Sequence, residues 1–147
     1  MLVAIGGALG GYFGTSGGGK ARPVAWRDLS AQVGPAVWAR PTVSVIRDQQ
    51  KLDKLFVVAT FGAHPRAPQV DFTRNEAVLV TSGPRSSTGY SLHVEKVTAM
   101  GGTIDVLVRE RTPSLGEHVT AKLTYPLLLI TIPRTTKHVH VKYAGRS

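Results

Sequence analysis

The sequence has 147 residues, no cysteine, and a formal net charge of +9 from 18 Lys plus Arg against 9 Asp plus Glu. This length predicts one domain and is too short for a TIM barrel or a complete dinucleotide-binding fold. The lack of cysteine excludes disulfides, thiolate zinc sites, iron–sulfur clusters and cysteine nucleophiles, and the basic charge favours anionic partners or surfaces.

The chain starts with an apolar, glycine-rich segment. Residues 1–14 carry no charge, and more glycines follow up to Lys20. The segment is shorter than the roughly 20 residues of a membrane-spanning helix, but it suits the apolar region of a signal peptide. We therefore expect residues 1–21 to be a signal-like segment with a linker and residues 22–147 to form a single domain. The mature protein is then expected to be exported to the cell envelope or beyond.

Part of this segment matches a phosphate-binding loop. Gly14, Gly19 and Lys20 have the spacing of its glycines and lysine. Ala21 stands where the loop needs a serine or threonine hydroxyl to hold magnesium, and an Arg-Pro pair replaces the start of an apolar helix. A flexible linker is therefore the favoured interpretation, and no cofactor is predicted.

Helical spacing occurs in residues 47–60. The region of Trp26 and Trp38 before it is predicted to form a strand pair that leads into a strand at 42–46. Asp48 is a suitable N-cap for the helix, and Gly62 lies just past its end. The apolar residues recur at intervals of three and four, which predicts one amphipathic helix with a stripe formed by Leu52, Leu55, Phe56 and Ala59.

The remainder of the chain has the pattern of strands. Two runs, 77–80 and 127–132, are apolar on both faces, which predicts central strands covered on both sides. Alternation of apolar and polar residues predicts half-buried strands at 90–97, 103–111, 119–125 and 138–143. The predicted fold class is α+β but mainly β: an antiparallel sheet or sandwich-like domain with one amphipathic helix.

The histidines are the candidate metal ligands. His138 and His140 project from one face of a predicted strand and could chelate a metal, with His93 or His118 as a third ligand. Such pairs on exposed strands are usually solvated, and no third ligand adjacent in sequence supports the site. No metal site is predicted.

A serine hydrolase site is also not supported. Ser86 or Ser87, His93 and Asp71 supply the residue types, but there is no G-x-S-x-G turn. The two serines lie in a turn with no following helix to shape an oxyanion hole, and no H-E-x-x-H motif is present. The sequence therefore predicts a protein that is not an enzyme.

A polar loop at residues 83–90 is the best candidate for a binding site. It connects two apolar strands and is too long for a two-residue hairpin turn, so its central residues are expected to form a presented tip. The alternative is that turn chemistry alone selected these residues. The predicted partner-binding residues are Arg85, Ser86, Ser87, Thr88, Gly89 and Tyr90.

Several motifs resemble the C-terminal domain of PrcB-like protease-complex subunits. They are Val70-Asp71-Phe72 and the segments 77–97, 109–116 and 123–134, with the Gly-Tyr loop and Tyr125-Pro126 the most specific parts. The resemblance covers roughly residues 42–143 and implies an accessory, non-catalytic subunit that associates with an extracytoplasmic protease. The loop is also similar to the N-P-T-T-G-Y loop of chagasin-like cysteine-protease inhibitors, so direct inhibition of a protease stays open as an alternative.

The C-terminal part of the chain is basic. No acidic residue follows Glu117, whereas cations continue to the end of the sequence, among them Lys122, Arg134, Lys137 and Lys142. Solvated side chains that discourage edge-to-edge pairing are the favoured interpretation. A polyanion-binding or surface-binding module is the alternative. Nucleic acid is not a predicted partner, because the chain has no basic helix and no basic run interleaved with aromatic residues.

Overall fold

The computed structural model describes residues 20–59 and 67–146, which form eight strands and one α-helix. A short 3-10 helix, Ser30–Gln32, lies between the second and third strands. The elements in chain order are β1 (Arg22–Pro23), β2 (Arg27–Asp28), β3 (Pro41–Ile46), α1 (Gln49–Ala59), β4 (Asn75–Ser82), β5 (Ser91–Met100), β6 (Thr103–Arg111), β7 (Leu127–Pro133) and β8 (His138–Arg146).

The strands form two four-stranded sheets. The outer sheet has the order β1-β5-β6-β8, and the central sheet has the order β2-β7-β4-β3. Both sheets are mainly antiparallel, and together with the single described helix they confirm the predicted α+β, mainly β class.

One strand pair departs from the expected antiparallel arrangement. Strands β6 and β8 are parallel, with Thr103 opposite His138 and Val106 opposite Val141. After β7 the chain crosses to the outer sheet, where the His138 amide bonds to the Gly102 carbonyl at 2.9 Å. Because β8 enters beside the start of β6, the two strands run in the same direction.

Apolar residues cover both faces of the central sheet. One face packs on the outer sheet through residues that include Val78, Val80, Ile130 and Val106. The other face packs on α1, where Leu79 and Leu129 join the cluster formed around Leu52 and Phe56. The predicted central strands at 77–80 and 127–132 are therefore confirmed as parts of β4 and β7.

The predicted helix is also confirmed. The Asp48 carboxylate accepts a hydrogen bond from the Lys51 amide at 2.8 Å, which caps the first turn of α1. Leu52, Phe56 and Ala59 are buried, and the Trp38 ring meets Phe56 edge to face with 5.5 Å between centroids. Gly62, the predicted end signal, lies outside the described residues.

Two strand predictions are wrong. Residues 119–125 form only an isolated bridge between Thr124 and Arg85, because their backbone bonds to the loop before β5 instead of to a sheet. Trp26 lies between the short strands β1 and β2, and Trp38 lies outside any strand, packed against α1. Within the described ranges, no helix has the length and apolar character that a bilayer crossing requires.

Candidate functional site

The predicted binding loop, residues 83–90, is held against a second irregular segment, residues 112–126, which we call the strap. Arg85 and Thr124 exchange two backbone hydrogen bonds, at 2.8 and 2.9 Å. The Thr88 amide donates to the Thr120 carbonyl at 3.0 Å. The loop and the strap are thus one paired unit at the end of the sandwich where β4 ends and β5 begins.

Arg85 anchors this unit. Its Nε and Nη2 donate to the two carboxylate oxygens of Glu110 in β6, at 2.6 and 3.0 Å, and its Nη1 donates to the Ser82 carbonyl at 3.1 Å. The Arg85 side chain is 21% exposed and that of Glu110 is 6% exposed. The hydrogen bond to Glu110 also raises the pKa of Arg85 above its ordinary value. The guanidinium, which the sequence placed at a presented tip, is turned inward onto the outer sheet.

The hydroxyl residues of the loop differ in their exposure. Ser86 is exposed, whereas Ser87 and Thr88 are half-buried. The Ser87 hydroxyl donates to the Thr88 carbonyl at 3.0 Å, and the Thr88 hydroxyl accepts from the Thr120 amide at 2.9 Å. Of the three predicted hydroxyl contacts, Ser86 is therefore the one that points to solvent as a tip residue.

Gly89 lies where the loop and strap touch most closely. Its φ is +101°, and a Cβ there would lie 2.8 Å from Pro113 and 3.0 Å from Val119. The Gly89 carbonyl accepts from Arg111 Nη1 at 2.7 Å. Tyr90 is half-buried and lies beneath the Arg85 guanidinium, 5.9 Å from it. These two residues shape the loop, and both keep part of their surface exposed.

A second ion pair fixes the strap to β6. Arg111 Nη2 donates to the Glu117 carboxylate at 2.6 Å, and the Ser114 amide donates to the same carboxylate oxygen at 2.9 Å. The hydrogen bond from Arg111, and to a smaller extent the one from the Ser114 amide, holds the pKa of Glu117 below its usual range. The turn that carries the strap is therefore ordered by charge-assisted hydrogen bonds.

The strap exposes three large apolar side chains that are not among the predicted binding residues. Leu115, Leu123 and Val119 have relative exposures of 105%, 63% and 40%. The alternation at 119–125 had assigned Val119 and Leu123 to a buried strand face. The flanking turn residues, Pro113 to Gly116 and Pro126, are the signal that could have identified an irregular segment instead.

A groove runs beside the strap on the side of the central sheet. Its lining includes Val33, Pro35, Trp38, Leu123 and Tyr125. The Trp38 indole nitrogen is buried and has no hydrogen-bond partner within the described residues.

The candidate catalytic residues are not brought together. His93 contacts the Ser91 hydroxyl at 2.7 Å, near the start of β5. Asp71 lies at the opposite end of β4, where the Thr73 hydroxyl and amide donate to it and lower its pKa. The distance spanned by β4 separates the two side chains.

The histidine pair lies on β8 as the sequence predicted. The rings of His138 and His140 stack with centroids 6.4 Å apart, and His140 Nδ1 lies 3.6 Å from Asp105. Across residues 20–59 and 67–146, no group of three or more His, Cys, Asp or Glu side chains has an arrangement that could hold a metal.

The cations of the C-terminal part do not form one surface. Lys122 lies on the strap, whereas Arg134 and Lys137 follow β7 at the opposite end of the sandwich. Lys142 lies within β8 and pairs with Asp105 at 3.4 Å. The four cations named for the polyanion-binding alternative are thus divided between the strap, β8 and the opposite end of the sandwich.

Comparison with known proteins finds one family model that matches part of the chain. The family model described as PrcB C-terminal matches residues 77–133, which confirms the resemblance over less than half of the chain. The matched region runs from β4 to the end of β7 and includes both the loop and the strap. No curated protein and no solved structure matches the chain.

Proposed function

We propose that this protein is a non-catalytic accessory domain that associates with an extracytoplasmic protease through the surface formed by the loop and the strap. The observation that carries the proposal is the exposure of Leu115, Val119 and Leu123 on a segment that ion pairs and hydrogen bonds hold in place. The match of residues 77–133 to the PrcB C-terminal family supports a role in a protease complex.

Exposed apolar side chains on an ordered segment favour association. A single exposed leucine is ordinary on a protein surface, but neighbouring apolar residues rimmed by polar groups are typical of an interaction site. Burying Leu115 and Leu123 against a partner would contribute on the order of 1.5–3 kcal/mol for each fully buried side chain. Leu115 is the larger contributor, because it starts from full exposure.

The strap is ordered before it binds. The Arg111–Glu117 pair and the Thr88–Thr120 hydrogen bond restrain it at two separate places. A segment that is already held in one conformation loses less entropy when it docks. Ser86, exposed next to the strap, provides a polar group for the rim of the contact.

The same geometry favours association over occlusion of an active site. A loop that enters a narrow catalytic cleft must project several residues away from its own domain. Here Pro84 and Ser86 are exposed, whereas Arg85, Ser87 and Thr88 are bonded to the outer sheet or to the loop and strap. The exposure of Leu115, Val119 and Leu123 on the strap therefore favours docking on a protease surface over the chagasin-like alternative.

A site-specific crosslinking experiment tests the proposal. A photo-reactive amino acid replaces Leu115 in the protein expressed in its own cells, and a matched variant carries it at Val58 on α1, which is 75% exposed. We expect a crosslink to a protease from position 115 and none from position 58. Equal crosslinking from both positions, or crosslinks from position 115 only to proteins that are not proteases, would contradict the proposal.

A binding experiment with that protease then separates the two roles. We expect Leu115→Ser combined with Leu123→Ser to weaken its affinity by at least about tenfold, while Val58→Ser has no effect. The protease should still cleave a short peptide when the wild-type domain is bound. Complete loss of that cleavage would show occlusion and favour the inhibitor alternative.

A further inference from the structure

The end of the sandwich opposite the loop carries a concave surface of different chemistry. There β3 ends, β4 begins and β7 ends, so Arg47, Arg74 and Arg134 come together from three parts of the chain. The backbone amide of Arg134 donates to the Arg74 carbonyl at 2.8 Å. Within the part of the chain that the structure describes, the concavity is lined by two guanidinium groups, two threonines and no carboxylate: Arg47, Arg134, Thr135 and Thr136.

The Arg134 guanidinium is held in place through one of its nitrogens. Its Nη1 donates to the Phe72 carbonyl at 2.7 Å and to the Arg47 carbonyl at 3.4 Å. Among residues 20–59 and 67–146, no carboxylate forms an ion pair with Arg134. Its side chain is therefore oriented by neutral acceptors while its positive charge is left without a partner in the described protein.

Arg47 is positioned from behind by a buried carboxylate. Glu76 is fully buried, and its Oε1 accepts from Arg47 Nε at 3.4 Å and from the Thr135 amide at 3.2 Å. This single oxygen thus positions both a guanidinium and a threonine of the concavity. The Arg47 side chain is 48% exposed, so the group that Glu76 holds at its base extends into solvent.

The remaining acids near this end are engaged elsewhere. Asp71 lies 3.9 Å from Arg74 and accepts from Thr73, and Asp48 caps α1. The Thr135 hydroxyl accepts from the Lys137 amide at 3.0 Å, which leaves its own proton available to a ligand. Among the described residues, the lining therefore offers N–H and O–H donors and holds no carboxylate.

We propose that Arg47, Arg134, Thr135 and Thr136 form an oxyanion-binding site that holds neighbouring carboxylates of an acidic peptide segment. Guanidinium groups recognise carboxylates through paired N–H donors, and arginines fixed in advance do so at a lower cost in entropy. Both arginines are open to solvent, so one isolated anion would be screened, whereas two carboxylates on one chain can engage both groups. The site is at the opposite end of β4 from the loop and strap, so it does not depend on the proposed protease contact.

Arg134 is the residue to change. Arg47→Gln would leave Glu76 buried without its cation and could unfold the protein. Arg134→Gln removes the exposed charge without stranding a buried acid. Arg134→Lys keeps the charge but loses the planar pair of donors. Arg40→Gln is the matched control, since Arg40 is exposed at the opposite end of β3.

The test is the fluorescence anisotropy of a labelled peptide that contains two adjacent glutamates, measured with the full chain at low ionic strength. We expect Arg134→Gln to weaken binding by about tenfold or more, Arg134→Lys to restore only part of the affinity, and Arg40→Gln to bind as the wild type does. The matching peptide with glutamines should not bind. Unchanged thermal unfolding of Arg134→Gln establishes that the site, not the fold, was altered.

Several results would overturn the proposal. Equal weakening by Arg40→Gln and Arg134→Gln would show diffuse attraction to a basic protein. Full rescue by Arg134→Lys would show that binding does not need the planar pair of guanidinium donors. Stronger competition by inorganic phosphate or by a single-stranded oligonucleotide than by unlabelled peptide would assign the site to another ligand. Leu115→Ser with Leu123→Ser must leave peptide binding unchanged, which separates this outcome from that of the protease contact.

Discussion

Arg85, which follows the central sheet, forms a two-pronged hydrogen bond with Glu110 of the outer sheet, at 2.6 and 3.0 Å. The pair is a link between the two sheets at the end where the candidate surface lies. The Glu110 carboxylate is almost completely buried, and the Arg85 guanidinium compensates its charge. The position of the loop is thereby coupled to the packing of the sandwich.

Breaking this pair should destabilise the whole domain. We expect Glu110→Gln to lower the free energy of unfolding by about 2–4 kcal/mol, because Arg85 would keep its charge in a largely buried place. Urea denaturation measures the loss. The matched control is Glu95→Gln, whose partner Arg109 lies on the surface, and it should cost less than about 1 kcal/mol. Similar losses of unfolding free energy in both variants would mean that the buried pair contributes no more to stability than the surface pair.

Replacing both partners should restore much of that loss. In Arg85→Met with Glu110→Met, neither charge remains buried, and apolar side chains of similar length fill the space. We expect this double variant to be more stable than Glu110→Gln by at least about 1 kcal/mol. If the double variant is less stable than Glu110→Gln, the Arg85–Glu110 pair must stabilise the domain by more than the mutual compensation of two buried charges.

Gly89 should not tolerate a side chain. Its φ of +101° disfavours any other residue, and an added Cβ would meet Pro113 at 2.8 Å. We expect Gly89→Ala to lower stability by about 2 kcal/mol and to shift the amide resonances of the strap. Gly102→Ala is the control, since a Cβ there has no neighbour within 4 Å. Unchanged strap resonances in Gly89→Ala would contradict the close contact that the structure describes.

Acid should release the strap from β6. Bonds from Arg111 and the Ser114 amide lower the pKa of Glu117, so its contribution to stability is fully present above the ordinary glutamate value near 4.5. That contribution is lost as the pH falls through the lower pKa of the folded state. The NMR shift of the Ser114 amide should report this titration, and Glu117→Gln should abolish it. A midpoint at or above the ordinary value would refute the arrangement.

The helix α1 should stabilise the domain mainly through the side chains on its buried side. We expect Phe56→Ala to lower the free energy of unfolding by about 3–5 kcal/mol, since it removes an aromatic side chain that is 1% exposed. Val58→Ala, two residues away and 75% exposed, should change it by less than about 0.5 kcal/mol. Thermal or urea unfolding of both variants checks the contrast. A small effect of Phe56→Ala would mean that α1 is not an integral layer of the core.

Local patterns of apolar and polar residues correctly predicted the strands whose burial pattern is the same from one end to the other. The alternation of Ile104, Val106 and Val108 identified β6, and the runs at 77–80 and 127–132 identified strands covered on both faces. The same alternation gave a wrong prediction at 119–125. The pattern shows only which side chains would lie on each face if the segment were a strand. It does not record whether another strand is there to pair with it.

The sequence by itself determined the mainly β composition, the helix and the place in the chain where a loop interrupts the strands. Only the tertiary structure decided that Arg85 turns inward to Glu110, that β8 runs parallel to β6, and that Arg47 and Arg134 meet at one end. The physical reason is separation along the sequence. Periodic burial is a property of residues that are close in sequence, whereas the partner of a charge or of a backbone donor can come from a distant part of the chain.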